Sequence, residues 1–207
     1  MKILIGTTNY SKRQRFQALL SDIDAQFITL DDCDIEQEPE EYGKTPEENA
    51  RIKAVFYGKY HASVICNDSG LFFNDLSLED DRQPGLNIRT PQKKYRLSDN
   101  EMIEYYGKLI HSLGGRVEAY YLDGVAVYRN GQVFSYMDLQ YALKRSFYMT
   151  DRVSAKRHTG WPLDSLSVDK KTGVYFVDRK DSEEEDNILR GEYRNRLRDF
   201  LIGALGL

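Results

Sequence analysis

Short apolar runs alternate with amphipathic segments along the first third of the chain. KILI at 2–5 predicts a buried strand, and the stretch that follows predicts a helix with Phe16 on its apolar face. AQFITLD at 25–31 predicts a second strand, the stretch after Thr45 a second helix, and ASVIC at 62–66 a third strand. The order β-α-β-α-β favours an α/β sheet.

The helix starts carry capping signals, in which a Ser or Thr side chain accepts from a backbone N–H three residues later. A Pro at the first helical position adds to the signal, because its fixed φ suits a helix start. The predicted starts are Ser11 with Gln14, Thr45 with Pro46 and Glu48, and Ser98 with Glu101.

The second half of the chain predicts a helix that ends at Gly114 and a long hairpin over 117–143 with Asn130-Gly131 as its turn. A short strand is predicted at 173–178 and a helix at 187–205. The predicted fold class is therefore α/β, with a mixed β-sheet flanked by helices and an antiparallel lobe. At 207 residues, a single domain over 1–207 is expected.

Composition excludes several classes of protein. The net charge is −4 and no long basic run is present, so a nucleic-acid partner is not expected. No apolar run approaches the ~18 residues of a membrane span, which argues against a membrane partner. The two cysteines, Cys33 and Cys66, lack metal-ligand spacing. Together with the absence of a signal-peptide pattern at the N-terminus, these features predict a cytoplasmic protein.

Three local patterns are candidates for chemistry. GTTNYSK at 6–12 leads from a strand into a helix N-terminus, which attracts anions; an ordinary capped loop is the alternative. Asn49 and Lys53 are four residues apart and share a helix face, with Glu41 just upstream; a solvated helix is the alternative. Asp68 follows a strand and can hold Mg²⁺ or accept a proton, although Asp-Ser-Gly also suits a turn.

The three patterns occur together in a known family. TTNYSK, EEYGKTPEENARIKA and NDSGL, in this order and spacing, resemble the motifs of the inosine triphosphate pyrophosphatase family, which clears non-standard purine nucleotides. QPGLNIR, GWPLD and ILRG resemble further segments of that family less closely. The resemblance extends from residue 3 to about residue 200.

This resemblance implies an activity. Members of the family hydrolyse nucleoside triphosphates between the α and β phosphates, giving a monophosphate and pyrophosphate. They need Mg²⁺ and are usually homodimers. Their fold is an elongated mixed sheet flanked by helices, with the nucleotide in a cleft between two lobes. A nucleoside triphosphate is thus the expected small-molecule partner, Mg²⁺ the expected cofactor and a homodimer the expected assembly.

The resemblance also implies roles for individual residues. Asp68 and Lys53 would be catalytic, and Glu41 and Asp68 would bind the metal. The substrate-binding residues would be Thr7, Thr8, Asn9, Lys12 and Ser69 on the phosphates, Trp161 stacked on the base, and Asp164 and Arg190 near the base.

Several positions depart from the family pattern. Asn67 stands where the family has the first acid of its D-D-S-G-L motif, and Leu189 stands where it has a base-reading histidine. These losses leave two alternatives open: a catalytically inactive nucleotide-binding protein, or a partner-binding protein, on the same fold. The base preference is not predicted, because a pocket that lacks one hydrogen-bonding group selects other ligands.

Overall fold

The computed structural model describes residues 1–91, 94–179 and 184–207. Its strands are β1 (Lys2–Ile5), β2 (Gln26–Ile28), β3 (Ser63–Phe73), β4 (Arg116–Arg129), β5 (Gln132–Met137), β6 (Phe147–Thr150) and β7 (Ser167–Val168). Its α-helices are α1 (Tyr10–Leu19), α2 (Pro46–Tyr57), α3 (Asp99–Ser112), α4 (Leu139–Lys144) and α5 (Glu184–Leu205).

The sheet is mixed, as the sequence predicts. The strand order is β2-β1-β3-β4-β6-β7, and β5 pairs with β4. β1 pairs in parallel with β2 and β3, while β4 pairs antiparallel with β5 and β6. The β4–β5 hairpin turns at Asn130 and Gly131, which have φ values of 46° and 90°. Positive φ at both positions is what a two-residue hairpin turn of this kind requires.

Two of the predicted helix starts are confirmed and one is wrong. The Thr45 side chain accepts from Glu48 N, and Ser98 and Glu101 form a complete capping box. α1, however, begins two residues earlier than predicted, because Asn9 rather than Ser11 caps it by accepting from Lys12 N. Asn ranks with the best N-cap residues, so the first suitable side chain in the loop takes the position.

The turn that the Asp-Ser-Gly sequence offered as an alternative at Asp68 does not form. β3 runs without interruption from Ser63 to Phe73, with β1 and β4 as its neighbours, and Asp68 lies in its middle. The inclusion of this segment in the sheet as part of β3 overrides the local turn preference of Asp-Ser-Gly. Gly70 serves close packing rather than a turn, because a Cβ there would lie 2.5 Å from the Phe72 ring.

Two other predictions are wrong in the later part of the chain. The second arm of the hairpin ends at Met137, and the stretch predicted as its continuation forms α4. The strand predicted at 173–178 is only a bridge at Tyr175 followed by a 3-10 helix at Phe176–Asp178. The helix predicted at the C-terminus is confirmed as α5. β6 and β7 were too short, at four and two residues, for an alternating pattern to predict them.

The chain forms two compact units, and each has its own core. Unit 1 comprises Met1–Ser69, Asp123–Asp138 and Ile188–Leu207; unit 2 comprises Gly70–Leu122 and Leu139–Asn187. The single domain over 1–207 stays a prediction. Buried side chains that pack between α2 and the sheet in unit 1 include Leu4, Ala50, Ala54, Val64, Cys66 and Ala126. Those of unit 2 include Leu71, Phe73, Met102, Tyr106, Ile110, Phe147, Met149 and Leu166.

In the described part of the chain, no helix combines the length and apolar character needed to cross a membrane.

Candidate active site

Four polar side chains converge in unit 1 and form what we call the carboxylate cluster: Glu41, Asn49, Lys53 and Asp68. Lys53 Nζ lies 2.7 Å from Glu41 Oε1 and 3.4 Å from Asp68 Oδ1. Asn49 Nδ2 donates to Asp68 Oδ2 at 3.0 Å and to Glu41 Oε2 at 3.3 Å. Each carboxylate is therefore contacted by the ammonium on one oxygen and by the amide on the other.

The local sequence explains why these groups meet. Asn49 and Lys53 lie one turn apart on α2, so both face the same side. The loop before α2 folds back onto the helix, where Gly43 N donates to Asn49 Oδ1 at 2.8 Å. Because this bond occupies the amide oxygen, the amide NH₂ is directed at Glu41 and Asp68. A Cβ at Gly43 would lie 2.6 Å from Asn49 Oδ1, so this loop requires glycine at that position.

A second glycine fixes the start of α2 on the sheet. A Cβ at Gly124 in β4 would lie 2.2 Å from Glu47 N, so the helix N-terminus rests directly on the strand backbone. Ser135 Oγ on β5 donates to Glu47 Oε1 at 2.7 Å and accepts from Arg51 Nη1 at 3.0 Å. These contacts hold the helix that carries Asn49 and Lys53.

Three members of the cluster are largely withdrawn from water, while the Glu41 side chain is 40% exposed. Asn49 is only 2% exposed, and the side chains of Lys53 and Asp68 are 16% and 13% exposed. Burial lowers the pKa of the Lys53 ammonium, but the charges of Asp68 and Glu41 raise it more, so its pKa lies above the ordinary value. A raised lysine pKa means that the contribution of the Lys53 charge to stability is present at neutral pH and is lost only as pH rises above about 10.5.

Removal of the Asn49 amide is expected to destabilise unit 1. In Asn49→Ala, Gly43 N and one oxygen of each carboxylate lose their partner, and a buried group without a partner costs about 1–3 kcal/mol. Urea unfolding should give a free energy of unfolding lower by about that amount. Gln14→Ala, which removes only a surface bond to Tyr10, is the control. Equal stability of the two variants would contradict a structural role for the amide.

The loop between β1 and α1 presents polar groups at a helix N-terminus. Thr7 Oγ1 accepts from Asn9 N at 3.2 Å, and Asn9 Oδ1 accepts from Lys12 N at 3.1 Å. Thr8 and Asn9 are exposed. The loop is therefore ordered by its own side chains while its outer surface stays open to an anion, as the sequence predicts.

Lys12 supplies a positive charge close to this loop. Its side chain is half-buried, and among the described residues its ammonium makes no hydrogen bond or ion pair. Burial lowers the pKa of Lys12, and the nearby charge of Lys53 lowers it further, although Asp68, Asp123 and Glu41 oppose the shift. An unpaired, partly desolvated ammonium at a helix N-terminus is suited to bind phosphate.

Alkaline pH is expected to weaken anion binding through Lys12. Because its pKa is lowered while that of Lys53 is raised, Lys12 loses its proton first as pH rises, below pH 10.5. Affinity for pyrophosphate, measured by calorimetry, should fall over that range. In Lys12→Arg the fall should be delayed to higher pH, because Arg stays protonated. The same fall in both proteins would rule Lys12 out as its cause.

The other predicted site residues lie apart from the carboxylate cluster. Ser69 follows Asp68 in β3, so its side chain leaves from the opposite face of the strand. Arg190 lies on the exposed side of α5. Trp161 and Asp164 belong to unit 2, in the segment around the 3-10 helix Pro162–Ser165. Their roles in substrate binding stay predictions.

A polar network near Lys12 was not predicted. Arg15 Nη1 donates to Asp123 Oδ2 at 2.7 Å, and Arg15 Nη2 donates to Tyr193 Oη at 3.2 Å. The bonds join α1 to β4 and α5 over 108 and 178 residues of sequence. No local pattern can predict such a network, whereas the four-residue spacing of Asn49 and Lys53 does indicate that they share a face.

Asn67 is the other unexpected feature. It is 2% exposed, and neither its amide oxygen nor its amide nitrogen has a hydrogen-bond partner among the described residues. Strand alternation places its side chain on the face opposite Asp68. The substitution of the family's acid by Asn67 therefore lies outside the carboxylate cluster and leaves its four members in contact.

Comparison with known proteins now identifies the family. The model of the Ham1 family matches residues 3–136, about two thirds of the chain. The chain belongs to the Ham1 family. This membership confirms the resemblance drawn from the TTNYSK, EEYGKTPEENARIKA and NDSGL motifs, all of which lie inside the matched segment.

Individual relatives within the family are similar to this chain over a shorter stretch. It is 37% identical over 87 residues to a protein named dITP/XTP pyrophosphatase from Thermoanaerobacter pseudethanolicus. It is 40% identical over 90 residues to a protein of the same name from Exiguobacterium sibiricum. Each match spans 42% of this chain and 42% of the relative.

Solved structures share the fold of this chain over nearly its whole length. The Ham1 protein of Staphylococcus aureus gives a TM-score of 0.70 at 24% identity, over 98% of this chain and 99% of that one. A HAM1 protein from Coxiella burnetii gives 0.73 at 21% identity, over 99% and 100%. These similarities confirm the predicted mixed α/β fold.

Proposed function

We propose that the protein is a nucleoside triphosphate pyrophosphohydrolase that uses Mg²⁺ to convert non-standard purine nucleotides into monophosphate and pyrophosphate. The observation that carries the proposal is the carboxylate cluster, in which Lys53 and Asn49 each contact both Glu41 and Asp68. The relatives named dITP/XTP pyrophosphatase support this class of substrate.

The cluster has the donor chemistry that Mg²⁺ requires. In the described residues no group of three or more His, Cys, Asp or Glu side chains converges as a closed metal site. Mg²⁺ is usually held by one or two carboxylates together with substrate phosphates, so Glu41 and Asp68 fit it. Bound there, the ion would neutralise charge on the phosphate oxygens and lower the pKa of a bound water.

Side chains of the protein itself would bind the phosphates, stabilise charge and accept the proton. Lys12 and the N–H groups at the start of α1 bind the phosphate chain. Lys53 turns from the carboxylates toward the α-phosphate, where negative charge builds up as water attacks. Asp68 accepts the proton of the attacking water while the bond from the α-phosphorus to the bridging oxygen breaks and pyrophosphate leaves.

Two further expectations accompany this proposal. We propose that the protein acts as a homodimer, as the family resemblance implies, and in the cytoplasm, as its cysteine content predicts. Light scattering coupled to size-exclusion chromatography measures the mass in solution. A mass near 48 kDa, about twice the 24.0 kDa of one chain, is expected, and a mass equal to one chain would reject the dimer.

The direct test is pyrophosphate release from a nucleotide panel. The purified protein with Mg²⁺ is given ITP, XTP, their deoxy forms, the four standard dNTPs and dUTP. We expect release from ITP, XTP and their deoxy forms above all others in the panel. If nucleotides bind in calorimetry but no pyrophosphate is released, the protein is a nucleotide-binding protein without this activity, and the proposal fails.

A further inference from the structure

Arg15 and Asp123 form an ion pair in unit 1, on the helix that follows the loop between β1 and α1. Arg15 Nη1 donates to Asp123 Oδ2 at 2.7 Å, and Arg15 Nη2 donates to Tyr193 Oη at 3.2 Å. The guanidinium also lies 5.8 Å from the centre of the Tyr193 ring. Both charged side chains are partly buried, with 32% and 29% of their surface exposed. Arg15 is therefore held in one place by partners on β4 and α5.

Lys12 lies one helical turn from Arg15. The two residues are three positions apart on α1, and side chains at that spacing are neighbours on a helix surface. The charge of Asp123 raises the pKa of Lys12 against the lowering effect of burial, so the field of this carboxylate reaches the ammonium. Asp123 thus has two cations near it, but among the described residues it is bonded to Arg15 alone, and Lys12 makes no hydrogen bond or ion pair.

A guanidinium is the better partner for a partly buried carboxylate. It is planar, presents several donors in a fixed geometry and is more weakly hydrated than an ammonium, so that less hydration is lost when it leaves water. Here the Tyr193 hydroxyl also fixes its position, whereas Lys12 has a flexible stem. Arg15 therefore neutralises Asp123, and Lys12 keeps its charge and its three N–H donors for an anion from solution.

We propose that Arg15 is a positioning residue that keeps Asp123 from pairing with Lys12, so that the Lys12 ammonium stays available to phosphate groups. The inference rests on the proposed function, in which Lys12 binds the phosphate chain of the nucleotide. It adds to the site two residues that act through Lys12 and need not touch the substrate. Without Arg15, the carboxylate of Asp123 loses its bonded cation and competes with the anion for Lys12.

The test is the affinity for inorganic pyrophosphate, measured by calorimetry on the full chain without nucleotide. Arg15→Met removes the charge and keeps much of the apolar stem, and we expect it to bind pyrophosphate about tenfold more weakly, the size of one charge-assisted hydrogen bond. Adding Asp123→Asn to this variant should restore the affinity to within about twofold of the wild type, because the competing carboxylate is gone. Such a rescue cannot come from a structural contact, since the double variant lacks that contact as well.

Arg13→Met is the matched control. Arg13 lies on the same helix and also pairs with an aspartate, Asp31 at 3.6 Å, so the change removes the same charge from α1 while Asp123 keeps its partner. The affinity for pyrophosphate should stay within about twofold of the wild type. In a Lys12→Met protein, adding Arg15→Met should cause no further loss, because the cation through which Arg15 acts is absent.

Urea unfolding of each variant checks that it is folded under the conditions of the titration. Arg15→Gln, which keeps a hydrogen-bonding side chain without the charge, should show the same loss and serves if Arg15→Met is unfolded.

The inference is overturned if the wild type binds no pyrophosphate, if the Arg15 variants bind it as the wild type does, or if their loss only equals that of Arg13→Met. It is also overturned if Asp123→Asn restores nothing, or if Arg15→Met weakens binding further in the Lys12→Met protein; Arg15 would then contact the anion itself. None of these results depends on catalysis. A protein that hydrolyses nucleotides but shows one of them keeps its proposed function and loses only this role of Arg15. The expected affinities without turnover would keep the role of Arg15 and remove the activity.

Discussion

Asp68→Asn is expected to lower kcat for pyrophosphate release by about 10²–10⁴-fold, the usual contribution of a positioned general base. The amide can neither accept the proton of water nor offer a charged oxygen to Mg²⁺. The fold should survive, because an Asn at this position still accepts from Asn49 Nδ2 and needs no change in β3. The measurement is the pre-steady-state rate of pyrophosphate formation at saturating nucleotide and metal.

Asp22→Asn is the matched control for this variant. Asp22 also lies in unit 1 and also pairs with a cation, Arg198, but its side chain is 65% exposed. The same chemical change at that position should leave kcat unchanged. If the Asp68 variant keeps the wild-type rate, its carboxylate belongs to the structure and has no part in the reaction.

Lys53→Met is expected to lower both the catalytic activity and the stability of the protein. Loss of a cation that stabilises charge on the α-phosphate is expected to reduce kcat/KM by about 10²–10³-fold. In addition, Glu41 and Asp68 lose the ammonium that lies 2.7 and 3.4 Å from their oxygens, and only Asn49 then separates them. We therefore expect a lower free energy of unfolding at neutral pH.

The stability loss in this variant should depend on pH. Without the ammonium, the charges of the two carboxylates repel each other, so the deficit is largest at neutral pH and shrinks in acid, where this repulsion is relieved. Urea unfolding of Lys53→Met and wild type between neutral and acidic pH measures this. Lys108→Met, which removes an exposed pair with Glu104, is the control. A deficit that does not change with pH would mean that lost packing, rather than charge, destabilises the variant.

Patterns within a few residues predicted most of what the structure confirms. The Thr45 and Ser98 caps and the Asn130-Gly131 hairpin each depend on neighbours at most three positions away, and all three are present. Predictions from local patterns were wrong where tertiary contacts determine the secondary structure. The Asp-Ser-Gly stretch has turn chemistry, yet it stays extended as part of β3 in the sheet.

The features of the candidate site likewise divide into those that local spacing predicts and those that depend on tertiary packing. Asn49 and Lys53 share a helix face by spacing alone, and the family resemblance joined Glu41 and Asp68, already candidates from their local positions, to the same site. The sequence did not indicate that Gly43 would orient the Asn49 amide, since that depends on how the loop packs against α2. The pairing of His158 with Asp164 was not predicted, because the two residues are six positions apart with a turn between them, which fits neither a helix nor a strand period.

The ammonium of Lys53 gives the two acids a built-in counter-ion. It lies 2.7 Å from Glu41 Oε1 and 3.4 Å from Asp68 Oδ1, so it balances much of the charge of the two acids and lets them lie close together. If Mg²⁺ binds between the acids as we propose, it would displace this ammonium, and one positive charge would be exchanged for another. The released ammonium would then be available to the phosphates, so that metal binding and phosphate binding by the lysine would be coupled.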